Sequence, residues 1–199
     1  CAGMDHPRRS VAPSVQLLVE DADERFDASV RTKFYDKNGN LLTSAADPEY
    51  IAPHCKKYED YDRVMDAGAS SKNIYFIRYA DLILLYAECL LADNDLAGAK
   101  KQVERVRDRA KVATPITASN KQEMLDFIYE ERMRELGMEG WRRMDLIRRG
   151  ADYFVEQVDK YNPFAKGNVQ AYHAFYPIPT NEINMNDGIG PEDQNEGYK

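Results

Sequence analysis

Residues 128–150, IYEERMRELGMEGWRRMDLIRRG, hold five carboxylates and six arginines. Two carboxyl groups facing each other across a cleft could serve as general acid and base, and Glu130 or Glu131 with Glu135 or Asp145 would supply such a pair. Helical spacing places arginine beside them instead. Glu130 and Arg134 are i,i+4 neighbours, Glu131 and Arg134 are i,i+3 neighbours, and Glu131 and Glu135 are again one turn apart. A nearby guanidinium keeps a carboxylate ionised rather than poised as an acid. Its planar fork also suits partly buried joints between helices. The spacing therefore favours charges that lock helices together over a catalytic pair. Trp141 could stack on a sugar. Its place in this stretch instead favours inward packing with Met144 and Ile147, once Gly137 and Gly140 have turned the chain.

Other chemistries find little support. His6, His54 and His173 are scattered, with no HExxH and no cysteine pairing, so no zinc site is expected. DKNGN at 36–40 resembles the start of a calcium loop but lacks the downstream bidentate glutamate. Nucleophile elbows and phosphate loops are absent, and no cofactor is expected. The net charge of −7 argues against a phosphate-binding surface, hence no nucleic acid partner, with the arginines of 142–149 the local exception. Cys1, Cys55 and Cys89 form no disulfide framework. Cys89 reads as a small core residue. Cys1 could be a lipidated mature N-terminus, although no signal segment precedes it. The most apolar run, 74–92, contains Arg78, Asp81 and Glu88 and does not qualify as a membrane span.

The elements that must position these residues are mostly helices. Alternation from Phe26 to Tyr35 predicts a strand running into a tight turn at Asn38-Gly39. Residues 40–73 read as an irregular loop, a length that often carries function. IYFIRYADLILLYAECLLA, 74–92, is expected to be a buried helix whose three charges lie within about 80° of one another. Those charges either line a pocket or pair with arginines of neighbouring helices, such as Arg105 or Arg132, because an unpaired buried charge is costly. After a DND turn, 96–112 forms a second helix with Leu96, Ala99, Val103 and Val106 on one face, antiparallel to the first. The pair has the period of a tetratricopeptide unit, with Ala87 and Ala99 at the close approach. One unit cannot bury both faces, so it stacks either on helices within 121–161 or on elements outside this chain. Ser119 or Asn120 caps a third helix, 121–136, ending at Gly137. A fourth spans 141–149 and a fifth 151–161, before a coil-rich tail, 162–199.

Several motifs share an order with a known family. DER at 23–25, RYADLILLYAECLL, VERVRDRA, the 128–150 stretch, YPIPTNEI and QNEGY together resemble the C-terminal region of SusD/RagB-type outer-membrane nutrient-binding lipoproteins, over roughly residues 20–198. The one departure is Glu196, where the family usually has proline. The resemblance implies an all-α fold of tetratricopeptide-like helix pairs with long irregular loops and little β-structure. It divides 1–199 into a strand and loop segment (20–73), a helical core (74–161) and an extended tail (162–199), and suggests a piece of a longer protein. It further implies a non-catalytic protein at the cell surface. Such a protein is held to the outer membrane by an N-terminal lipid anchor, caps a SusC-type TonB-dependent transporter, and captures oligosaccharide or, in some members, peptide.

Sugars bind on flat aromatic faces, with amides, carboxylates and arginines fixing their hydroxyls. The chain has thirteen tyrosines against one tryptophan. The loop at 35–75 offers Tyr35, Asn38, Asn40, Tyr50, His54, Tyr58, Tyr61 and Arg63. In the resembling family, loops ahead of the RYAD helix contribute to the ligand face, which makes Tyr50, Tyr58 and Tyr61 the candidate ligand contacts. The same tyrosines could simply pack the loop onto the helices. Two other functions fit the sequence: a helical-repeat scaffold that binds a protein partner, and a glycoside hydrolase, which would need two carboxylates facing each other across a cleft.

Overall fold

The structure, a computed structural model, describes residues 23–36, 38–42, 54–60, 70 and 72–199. The chain divides into two compact units, one ending at Gly140 and the other beginning at Trp141.

The first unit starts with a helical turn where alternation predicted a strand. Asp23 accepts a hydrogen bond from the backbone N–H of Arg25 at 2.9 Å, an Asx turn that nucleates α1, Arg25–Ser29. A five-residue helix and a strand of that length present the same few apolar residues, so periodicity could not separate them. Only β1, Val30–Arg31, is extended. It pairs antiparallel with β2, His54–Cys55, in the register Val30 to Cys55 and Arg31 to His54. The turn at Asn38-Gly39 forms as expected. Gly39 adopts φ +85°, and the bridge between Tyr35 and Leu41 closes the hairpin.

Three helices make the core. α2, Tyr79–Ala92, and α3, Leu96–Arg109, form the predicted pair. Asn94 turns the chain with a left-handed φ of 64°. Asp95 caps α3 by accepting from the N–H of Gly98 at 2.8 Å. Ala87 and Ala99 are fully buried, as their placement at the close approach required. α4, Lys121–Glu135, packs against both. Of the two candidate caps, Asn120 is the one used, accepting from Glu123 N–H at 3.0 Å. Glu123 returns its carboxylate to the N–H and hydroxyl of Ser119, each at 2.8 Å. Leu84, Leu91, Val103, Met124 and Ile128 fill the space between the three helices.

The 74–92 run departs from expectation. Its helix begins at Tyr79, and Ile74, Tyr75, Phe76 and Ile77 are exposed and non-helical. Helices gain most of their stability from burying an apolar face, and these four residues stay largely exposed. Within α2 only Asp81, Leu84, Ala87 and Leu91 are buried. Tyr79, Leu82 and Tyr86 are exposed. Cys89 is exposed too, and not the core residue expected. A run with only three charges does not reveal which face will find a partner, and here the buried face includes Asp81. α4 covers one side of the helix pair, so stacking within the chain accounts for that face.

Past α4, Met138 and Gly140 take left-handed φ values of 66° and +88° and break the helical path. Gly137, expected to share this role, does not adopt a positive φ.

The second unit contains α5, Arg142–Arg148, and α6, Ala151–Tyr161, around Leu146, Phe154 and Ala174. Trp141 precedes α5 and is half-buried. Ile147 packs inward. Met144 does not, because Asp145 and Leu146 occupy the inward face of this short helix. The tail is more ordered than its composition suggests. The helical turns Ala171–Ala174 and Pro191–Asp193 and the short α7, Thr180–Met185, interrupt it. QNEGY acts as a clip on YPI. Gln194 pairs with both backbone groups of Ile178, at 2.7 and 2.9 Å. Asn195 donates to Tyr176 O at 2.7 Å, and the Tyr198 hydroxyl to Phe175 O at 3.1 Å.

Gly197 lets the clip close. Its φ is +84°, and a Cβ there would lie 2.2 Å from the Tyr172 ring. Gly197→Ala should therefore cost more than the about 1–2 kcal/mol of a left-handed alanine. Exposed Glu196→Ala should stay within about 0.5 kcal/mol. Urea unfolding of the two variants checks this, and equal midpoints would contradict it.

Candidate functional site

α4 places Glu131 and Glu135 on one face, one turn apart, and the turn that follows brings Glu139 within reach of the same cations as Glu135. Both helical carboxylates lie in the last turns of α4, where the backbone carbonyls give the helix its negative end. Their side chains are almost fully buried. Such charges persist in a protein interior only when they are paired and hydrogen-bonded.

The pairing comes from four directions. From α1, Arg25 donates to Glu131 Oε1 at 2.6 Å and Glu135 Oε2 at 3.3 Å, while the rest of its fork holds Asp23. From α3, Arg107 reaches Glu131 Oε2 at 3.1 Å and Arg109 reaches Glu135 Oε2 at 2.5 Å. Arg78, just ahead of α2, donates to Glu135 Oε1 at 2.9 Å and grips both oxygens of Glu139 at 2.8 Å. Lys57, from the segment after β2, donates to Glu139 Oε1 at 2.6 Å and to the Glu135 carbonyl at 2.9 Å. Arg134 adds contacts to Glu131 at 3.1 Å and Glu130 at 3.6 Å, the helical neighbours the spacing predicted. Among the described residues this network sets six cations, Arg25, Lys57, Arg78, Arg107, Arg109 and Arg134, against the carboxylates of Asp23, Glu130, Glu131, Glu135 and Glu139.

The three charges of the 74–92 run follow the ion-pair alternative. Asp81 is held by Arg132 at 2.7 Å, and Glu88 lies 3.9 Å from Arg132 with the Tyr129 hydroxyl at 3.3 Å. Arg78 joins the network above. Arg105, the other suggested partner, instead bonds Gln102 and the Tyr79 hydroxyl.

Burial alone would push the Glu135 carboxyl up, but the hydrogen bond from Arg78 and the charges of Arg109, Arg78 and Arg25 hold it below its ordinary range. Asp23 is lowered in the same way, burial being outweighed by its bonds to Arg25. The guanidinium groups of Arg25 and Arg78 are raised, again against the effect of burial. The carboxylates of Glu135 and Asp23 are thus held ionised with their oxygens occupied, which suits a structural joint.

Beside this joint the surface opens. One hollow of about 290 Å³ is lined by Tyr58, Tyr75, Lys57, Arg78 and Arg109 above Glu135 and Glu139. A second, of about 530 Å³, is lined by Tyr58, Ser70, Lys72, Ile74, Met138 and Glu139. Tyr58 borders both. Burial first, and then the Glu139 charge, raise its phenol, so it remains a hydrogen-bond donor at neutral pH.

Of the candidate ligand contacts, Tyr58 is thus at a concave surface, and Tyr50 and Tyr61 lie outside the described residues, as does Arg63. Tyr35 is on the hairpin and exposed. Asn40 is committed to the hairpin turn, donating to Asp36 through both its backbone and its side chain. That turn also engages both Asp36 carboxylate oxygens. His54 contributes backbone to β2. No group of three or more His, Cys, Asp or Glu side chains among the described residues could hold a metal ion. Sequence reasoning missed Tyr75, Lys57 and Arg109 as lining residues. Tyr75 was absorbed into an overlong helix, and Asn73, a good cap by residue type, stands just ahead of Ile74, so no local signal shortened that helix.

The sequence profile of the SusD family matches residues 12–198. The chain belongs to the SusD family. It is similar to SusD-like protein P25 of Formosa agariphila, 34% identical over 134 residues, which is 65% of this chain and 25% of that protein. It is also similar to the starch-binding protein SusD of Bacteroides thetaiotaomicron, 32% identical over 142 residues, 68% and 23% of the two chains. Among solved structures, B. fragilis NanU superposes with a TM-score of 0.62 at 28% identity, covering 94% of this chain and 39% of that one. A SusD superfamily protein from Bacteroides fragilis superposes at 0.64 with 21% identity, over 94% and 40%, and carries the fold alone. The SusD-family chain therefore spans about a quarter of the length of the curated relatives it matches. The expected all-α, tetratricopeptide-like architecture holds, with the described strands limited to one two-residue pair and a hairpin bridge.

Glu135→Gln leaves Arg78, Arg109 and Arg25 without their shared anion and should destabilise the fold by about 3–5 kcal/mol. A carboxyl whose folded pKa is depressed contributes stability above its unfolded pKa, and that stability is lost as the pH falls through the folded value. Wild-type stability should thus be flat near neutrality and fall in acid below about pH 4, with a shallower acid slope in Glu135→Gln. Urea midpoints measured across pH check both statements.

Proposed function

We propose that this SusD-family chain is part of a non-catalytic cell-surface protein that captures oligosaccharide and passes it to a SusC-type TonB-dependent transporter. The protein is held on the outer face of the outer membrane by an N-terminal lipid. No described helix is long and apolar enough to cross a membrane. Residues 1–199 act as one ligand-presenting region, with 74–161 as its helical core.

The observation that supports this reading best is Tyr58. It lines two open hollows, next to Lys57, which is bonded into the carboxylate–arginine joint, and Tyr75 lines one of them. A phenol ring offers a sugar both a flat apolar face and a donor at its edge. The family adds to this, since one relative is a starch-binding protein. Tyr50 and Tyr61 belong to the same proposed ligand face. Each stacked sugar contributes on the order of 1 kcal/mol, so a few shallow contacts give capture weak enough for release into a transporter.

Isothermal titration of the chain against oligosaccharides and peptides tests the reading. Tyr58→Ala should weaken saccharide binding about five- to tenfold while leaving the circular dichroism spectrum unchanged. Pull-down from membranes should recover a large β-barrel. Silence toward every saccharide by the folded protein, or recovery of soluble partners only, would overturn it.

A further inference from the structure

We infer that the hollow beside Tyr58 and Tyr75 takes a saccharide bearing an anionic substituent, a carboxylate or a sulfate ester, and that Arg109 is the group that reads it. This rests on the glycan-binding reading above and narrows its substrate class.

The charge balance points this way. The carboxylates that line the hollow are already neutralised by their arginine and lysine partners. Glu135 accepts from Arg78 on one oxygen and from Arg25 and Arg109 on the other. Glu139 has both oxygens filled by Arg78 and Lys57. Neither carboxylate can repel an incoming anion as a bare charge would. Arg78 spends all three of its nitrogens on Glu135 and Glu139. Arg109 differs from it. It spends only its Nη2 on Glu135, and its side chain is 57% exposed on the lining of the hollow.

Arginine presents five N–H donors in a planar fork that matches carboxylate and sulfate oxygens in pairs. The Glu135 contact fixes that fork at one corner and leaves the remainder presented to solvent. Tyr58 and Tyr75 line the same hollow and supply the aromatic surface for the sugar ring. A neutral glycan would use the rings and leave the spare guanidinium donors to water. An acidic one would use both.

The test compares ligands that share a backbone. Oligogalacturonate is titrated against its methyl ester, and a sulfated galactan oligosaccharide against its desulfated form, at low and high salt. The acidic forms should bind about tenfold more tightly at low salt, and the advantage should shrink as salt screens it. The arm with the larger advantage distinguishes carboxylate from sulfate. Arg109→Gln should reduce the acidic-to-neutral ratio toward one, and Arg109→Lys should restore part of it, with urea midpoints confirming that all variants fold. Neutral forms binding as tightly as acidic ones would overturn this inference and leave the glycan reading standing. An acidic preference unchanged in Arg109→Gln would remove the assignment to this hollow. No binding of either form would also overturn this inference, and the wider saccharide panel decides the glycan reading.

Discussion

Two carboxylates at the negative end of a helix, one turn apart and shielded from water, repel each other and the carbonyls around them. Glu131 and Glu135 of α4 are in that position. They are tolerable only because guanidinium groups from α1, from α3 and from the segment ahead of α2 converge on them. The same bonds join elements far apart in sequence, from Arg25 to Glu131 and from Arg78 to Glu135. Apolar packing brings α2, α3 and α4 together without direction. The arginine forks add direction and define how α1 and the approach to α2 must lie.

The joint also shapes what lies above it. Arg78 is held at both of its faces by Glu135 and Glu139, and this sets where the chain enters α2. Tyr75 is thereby kept outside the helix and beside Tyr58, on the lining of one hollow. Lys57 binds the Glu135 carbonyl and Glu139, so the segment that carries Tyr58 is anchored to the end of α4. On the proposed ligand face such support matters, because ordering the rings at the moment of binding would cost part of the small stacking energy.

The second unit uses a different device. Arg143 lies over Tyr176 at 4.1 Å and over Phe154 at 5.4 Å, and donates to the carbonyls of His173 and Ala174. Here the guanidinium stacks as well as donates, which a lysine would do less well. Three of the arginines of 142–149, a run that by density alone could suggest a phosphate surface, are thus drawn into contacts within the unit, the other two being Arg148 with Asp145 and Arg149 over Tyr153.

Much of this was legible in the chain. Helical spacing put Arg134 beside Glu130 and Glu131, the small residues Ala87 and Ala99 marked the close approach of α2 and α3, and Asn38-Gly39 announced the hairpin turn. Such features are local, set by backbone geometry within a few residues, and sequence carries them directly. Ordered motifs carried the family as well. Other features depended on partners distant in sequence. That Arg25, Arg78 and Arg109 all meet at Glu135, that α2 begins only at Tyr79 with Cys89 and Leu82 outward, that Met144 is turned away, and that Tyr75 joins Tyr58 at a hollow are consequences of which faces met. An apolar or charged side chain declares only that it needs a partner, and the tertiary structure decided which one it found.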